Sequence, residues 1–154
     1  MKTKNIIQKK SWLMIIMITI CFGGNLEAQP EAYLVDQCVN SECKEVVYLK
    51  DFVVKLDGNS LGEREEEFVT TMVLSKNTEY KFSLCNAETS GGIPILRLLD
   101  NNNLLGSTYN AATGKMYNGF NFKCQRTGVY HMKISFQDGK PGYAVGILSY
   151  VKSI

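Results

Sequence analysis

The sequence is poor in the residues on which most enzymatic and metal chemistry depends. Its 154 residues include one histidine, His131, and contain no His-Glu-x-x-His motif. Nucleophilic hydrolysis needs a nucleophile that is activated by a positioned base. Because His131 lies in an alternating segment, we interpret it as an outward-facing strand residue. We therefore expect no catalytic residues, no metal site and no cofactor.

Long apolar runs are also scarce. The run at residues 12–22 has 11 residues, whereas a helix that spans a membrane needs roughly 20. Four lysines precede this run, and a short stretch of small and polar residues follows it and ends at Ala28. This order of basic, apolar and small residues predicts a secretory signal peptide over residues 1–28, cleaved after Ala28. We expect a secreted or periplasmic protein with no membrane span in its mature form.

A strong charge of either sign is missing from the mature chain. Residues 29–154 hold 13 basic and 14 acidic side chains, a net charge of −1. The basic residues are scattered rather than clustered, so the sequence predicts no nucleic-acid partner. The acidic run at residues 63–67 precedes an apolar segment, which favours a solvated loop over paired catalytic carboxylates.

Short segments that alternate between apolar and polar residues make up most of the mature chain. They lie at residues 52–56, 68–74, 80–84, 120–124, 130–136 and 143–147, and turn-forming residues separate them. No segment shows a helical apolar stripe over three turns. The pattern predicts an all-β fold, an antiparallel β-sandwich of the jelly-roll-like kind. We expect a lead-in segment at residues 29–45, one sandwich domain at residues 46–154, and a core between the two sheets containing Phe82, Tyr130, Met132, Ile134 and Val145.

Four cysteines follow the predicted signal peptide, and an even number in an exported chain predicts disulfides. Four cysteines allow three pairings. The turn-like insert between Cys38 and Cys43 favours a small loop, which leaves Cys85 to pair with Cys124. The alternation of apolar and polar residues conflicts with the Cys85–Cys124 pair, because it places Cys124 on an inward face and Cys85 on an outward face. A bulge in the strand would remove the conflict. Zinc is the competing interpretation, but it would want nearby histidines.

One segment has the composition of a ligand surface. Residues 107–122 contain Tyr109, Asn110, Tyr117 and Asn118. Tyrosine rings stack on ligands and amides form hydrogen bonds, which suits sugar or peptide binding. The alternative is that these rings belong to the core. A calcium site at residues 100–103 would have one carboxylate, and a hairpin turn explains the same residues.

Two further stretches resemble bacterial pre-peptidase C-terminal domains, which are small secreted β-sandwiches that accompany other proteins. Residues 96–107 (LRLLDNNNLLGS) look like that family's hairpin, and residues 127–134 (TGVYHMKI) are similar to its Gly-x-Tyr strand. The resemblance implies a sandwich with an accessory role. It implies no catalytic residue.

Together these features predict an exported, non-enzymatic β-sandwich protein that binds a protein or glycan partner at the cell envelope. Two alternatives stay open. The protein would be a small secreted glycan-active hydrolase if the fold brought two carboxylates together across a cleft. It would be a self-associating structural component of the envelope if it carried a long unprotected edge strand.

Overall fold

One helix precedes ten strands in the part of the chain that the structure describes. This computed structural model describes residues 30–59 and 66–154, so the predicted signal peptide and its cleavage site lie outside it. The bounds are α1 Pro30–Glu42, β1 Val47–Leu56, β2 Glu67–Leu74, β3 Thr78–Asn86, β4 Pro94–Asp100, β5 Asn103–Ser107, β6 Tyr109–Asn110, β7 Lys115–Met116, β8 Gly119–Cys124, β9 Gly128–Phe136 and β10 Gly142–Ser153.

Eight of these strands form two four-stranded antiparallel sheets. The first sheet has the order β1-β10-β3-β8 and the second has the order β2-β9-β4-β5, while β6 and β7 form a separate hairpin. The predicted all-β antiparallel sandwich is confirmed. All six alternating segments lie in strands, because a period of two places one set of side chains on the inner face of a sheet.

The main core lies between the two sheets. Its fully buried side chains include Phe82 from the first sheet and Leu96, Leu98, Met132 and Ile134 from the second. The predicted burial of Phe82, Tyr130, Met132 and Ile134 in this core is confirmed.

The predicted place of Val145 between the sheets is wrong, although the residue is fully buried. Val145 and Ile147 belong to a second cluster that includes Leu34 and Cys38 of α1. The inward positions of β10 are instead taken by residues such as Ala144 and Leu148. Helix α1 therefore covers the outer face of the first sheet, and β10 is buried on both faces.

The helix itself departs from the sequence-based expectation that no helical stripe is present. Leu34, Val35, Cys38 and Val39 lie on one side of α1 and pack against the sheet. They recur with helical spacing over barely two turns, too short a stripe to stand out. Among the described residues, no helix is both long and apolar enough to cross a bilayer.

Both predicted disulfide pairings are wrong. Cys38 is bonded to Cys85, with their Cα atoms 5.8 Å apart, while Cys43 and Cys124 are free thiols. Cys85 points outward from β3 toward the helix. Cys124 lies inward and opposite Thr78, which precedes Cys85 on β3 by seven residues, roughly 20 Å at the strand rise. Cys85 and Cys124 are thus on different faces and far beyond bonding reach.

Candidate functional site

The predicted ligand surface lies in the hairpin that connects the edge strands β5 and β8. Its anchor is Thr108, which is fully buried. The Thr108 amide donates to the Leu96 carbonyl at 3.0 Å, and its hydroxyl accepts from the Leu96 amide at 2.9 Å. Its carbonyl accepts from the Tyr117 amide at 2.8 Å. One end of the hairpin is therefore fixed to β4 at Leu96, and the other end is bonded to the first at Thr108.

The four predicted residues play different parts in this hairpin. The Asn110 side chain accepts hydrogen bonds from the amides of Ala112 and Thr113, so it shapes the turn. Tyr109 is half-buried and Asn118 is exposed. Tyr117 is 44% exposed, and the Lys115 ammonium lies 5.0 Å from its ring centroid. Of the two tyrosines, Tyr117 is the more exposed.

A groove with a volume of about 520 Å³ lies beside helix α1. Its lining includes side-chain amides, a hydroxyl and one ammonium among apolar surface, and the disulfide forms part of its wall. The lining residues are Leu34, Gln37, Cys38, Asn40, Ser41, Lys44, Cys85 and Asn86. This set contains neither a carboxylate nor an imidazole, so the groove offers hydrogen bonds and one positive charge.

Several contacts hold the helical wall of the groove in place. The Cys38–Cys85 disulfide joins α1 to β3. At the carboxyl end of the helix, the Lys81 ammonium donates to the Glu42 carbonyl at 2.8 Å and lies 3.0 Å from its carboxylate. The interaction of a cation with the helix dipole is also favourable at this end. The groove therefore has a preformed shape.

The groove and the hairpin meet at the same end of β3. The Leu84 amide donates to the Asn118 carbonyl at 2.7 Å, and the next two residues, Cys85 and Asn86, line the groove. The structure thus places the predicted Tyr117 and Asn118 segment next to a groove that was not predicted from the sequence. The sequence feature that corresponds to the groove is a polar stripe at helical spacing, formed by Gln37, Asn40, Ser41 and Lys44.

The free cysteine Cys124 is part of a buried polar cluster. Its thiol donates to the Arg126 carbonyl at 3.2 Å and lies 3.6 Å from the Tyr130 hydroxyl, which donates to that same carbonyl at 2.7 Å. Burial, together with the hydrogen bond from Cys124, raises the pKa of Tyr130 to about 12. No group of histidine, cysteine and carboxylate side chains suited to a metal ion occurs among the described residues.

The remaining chemical candidates lie apart from the groove. His131 is on the outer face of the second sheet, opposite Thr71 and Leu99. In the predicted turn at residues 100–103, the Asp100 carboxylate lies 2.6 Å from the Arg126 guanidinium, and Asn101 has a φ of 54°. Both features suit a hairpin turn.

The acidic run is described in part. Its member Glu67 lies in β2, and its carboxylate is 2.8 Å from the Lys133 ammonium. Glu63 and Glu65 fall outside the described residues.

No family model and no curated protein matches this chain. Among solved structures, it is similar to the pre-peptidase C-terminal domain of a collagenase from Bacillus anthracis. The match has 17% sequence identity, covers 66% of this chain and 89% of that chain, and has a TM-score of 0.46. The predicted resemblance to that family is confirmed as a weak one. At this identity and TM-score, neither activity nor partners carry over.

Proposed function

We propose that this protein is an exported, non-enzymatic β-sandwich that binds a glycan or protein partner at the cell envelope. The groove beside α1 carries the proposal. Asn40 offers an exposed amide, beside those of Gln37 and Asn86, whose nitrogen atoms also donate to the Tyr33 hydroxyl and the Gly92 carbonyl. Amides both donate and accept hydrogen bonds and so match hydroxyl-rich ligands. The exposed ring of Tyr117, in the segment that is bonded to β3 at Leu84, offers a surface on which a sugar or an apolar side chain stacks.

The disulfide supports the exported location. Disulfides form and persist in oxidising compartments such as the periplasm and the extracellular space, and Cys38–Cys85 holds the wall of the proposed site. We propose that residues 1–28 are removed during export. Intact mass of the exported protein tests this directly, and a species that retains residues 1–28 contradicts it.

The binding role is tested with the purified exported protein on a glycan array, beside a pull-down from envelope and culture fractions. Asn40 is exposed on α1, and alanine suits a helix better than asparagine. Asn40→Ala should therefore keep the fold. It should weaken binding by about 3- to 10-fold, the worth of a typical hydrogen bond. Tyr117→Ala should weaken binding as well.

The matched control is Asn102→Ala in the exposed turn between β4 and β5. This variant also loses one surface amide, but away from the groove, and should bind like the wild type. Equal binding by the Asn40→Ala and Asn102→Ala variants would show that the groove is not the site. Release of soluble sugar from an arrayed glycan would instead support the hydrolase alternative.

A further inference from the structure

The edge strand β2 differs from the other three sheet edges in the described chain. It pairs with β9 on one side, in unbroken register from Glu67 to Leu74. Residues 68–74 contain no charge, no proline and no glycine. An edge of this kind presents a row of backbone donors and acceptors to another chain.

Each of the other edges carries a feature that discourages such pairing. Strand β1 contains Lys50, Asp51 and Lys55 and has a register shift after Tyr48. Strand β5 is five residues long and has a register shift where it meets β4. Strand β8 begins with a glycine, contains Lys123, and is joined to β5 by the anchored hairpin. Charges, bulges and short length are the usual means of protecting an edge.

The outer side chains along this edge are apolar and open to solvent. Val69 is 50% exposed and Val73 is 70% exposed. Val129, which lies opposite Val73 on β9, is 53% exposed. The outer face of the first sheet is covered by α1, whereas these valines have no cover among the described residues.

We propose that β2 pairs antiparallel with β2 of a second copy of this chain, across a two-fold axis at Thr71. In this register Val69 lies opposite Val73 of the second copy, and the two sheets join into one of eight strands. Side chains directly opposite each other across an antiparallel pair are close enough to pack. The apolar valines of the two copies then cover one another.

The charges at the ends of β2 select a second copy in this orientation. Glu66 and Glu67 stand at the start of the strand, and Lys76 follows its end. Antiparallel pairing brings Glu66 of each copy near Lys76 of the other. Parallel pairing would place the glutamates of both copies together, which is unfavourable. A two-fold axis also gives a closed dimer rather than an open chain of molecules.

The test is the mass of the exported protein in solution, measured by sedimentation over a wide range of concentration. Pairing along one edge buries less than the roughly 1,200 Å² of a standard interface, so we expect a weak, concentration-dependent dimer. Thr71→Lys puts two like charges face to face on the axis and should raise the dissociation constant at least about tenfold.

The matched control is Leu104→Lys, which adds the same charge on β5, the opposite edge strand, where Leu104 is 58% exposed. Its dimer should dissociate like that of the wild type. Mixing Thr71→Lys with Thr71→Glu should restore dimers, because opposite charges then meet on the axis. This rescue also shows that both variants are folded.

Three results would overturn the proposal. The first is a wild-type protein that stays monomeric at every concentration. The second is a dimer that Thr71→Lys leaves intact, since the interface must then lie elsewhere. The third is a monomer in which the β2 amides that point away from β9 are also protected from hydrogen exchange, because a segment of the same chain must then cover the edge.

Discussion

Removing the Cys38–Cys85 disulfide should cost a large part of the stability of the fold. The bond joins residues 47 positions apart, and the chain-entropy estimate for a loop of that length is about 4 kcal/mol. Domains of this size have roughly 5–15 kcal/mol in total. At a urea m-value of about 2 kcal/mol per molar, the Cys38→Ala/Cys85→Ala variant should unfold at a midpoint about 2 M lower.

The assay is urea unfolding followed by far-ultraviolet circular dichroism. Tryptophan fluorescence is unsuitable, because the single tryptophan is Trp12, in the predicted signal peptide. Alanine is the substitution of choice, since Cys38 is 1% exposed in an apolar cluster where a serine hydroxyl would lack a partner. Hydrogen exchange should in addition become faster in α1, because the helix loses its covalent link to β3.

Cys43→Ala is the matched control. Cys43 is a free, partly buried thiol whose sulfur lies 3.4 Å from the Ser149 hydroxyl, so its loss should cost well under half as much. Peptide mapping without reduction should recover Cys38 joined to Cys85. A Cys43→Ala variant that loses as much stability as the double variant would refute the assigned connectivity. An unchanged midpoint in the double variant would refute the entropy argument.

Three further predictions follow from the core and the second sheet. Ile134→Ala should lower the free energy of unfolding by about 2–5 kcal/mol in a urea titration, whereas Lys133→Ala removes a partly exposed ion pair worth about 1 kcal/mol or less. Because the pKa of Tyr130 is raised to about 12 in the folded protein, its stabilising effect is complete below about pH 10 and is lost as the pH rises toward 12. In urea titrations over that range, the free energy of unfolding should fall more steeply for the wild type than for Tyr130→Phe. The difference in slope should be up to about 1.4 kcal/mol per pH unit. His131→Ala should leave ligand binding on the array unchanged, since His131 lies outside the groove.

The alternation of the strands predicted more about the cysteines than their spacing did. Parity placed Cys124 inward and Cys85 outward, and the structure has both orientations as stated. The short insert between Cys38 and Cys43 suggested a local loop, but those residues belong to a helix and the turn after it. The spacing of cysteines in the sequence does not show which distant cysteine is the partner. The alternation of a strand, in contrast, excludes partners that lie on the opposite face of the sheet.

The groove could not be predicted because it depends on where α1 docks. The polar stripe of Gln37, Asn40 and Ser41 is visible in the sequence, but the position of Asn86 beside it follows from the disulfide and from the packing of Leu34 on the sheet. The hairpin surface stays a prediction, and Asn110 in it shapes the turn by accepting hydrogen bonds from the amides of Ala112 and Thr113.

Strand β10 shows how a covered outer face appears in a sequence. Residues 144–148 read Ala-Val-Gly-Ile-Leu, so the alternation expected over residues 143–147 has no polar members; such a run is typical of a strand buried on both faces. The structure supplies the cover for Val145 and Ile147 in the form of α1.

The same criterion applies to β2, where Phe68 and Met72 face the core while Val69 and Val73 face outward. Both strands place branched apolar residues on both faces, yet β2 has no cover of its own among the described residues. Val69 and Val73 are already partly buried, so completing their burial at a contact between two copies would stabilise it by less than the roughly 1.5 kcal/mol of a fully exposed valine. The proposed second copy, with its opposite end charges, would supply along β2 the cover that α1 supplies over β10.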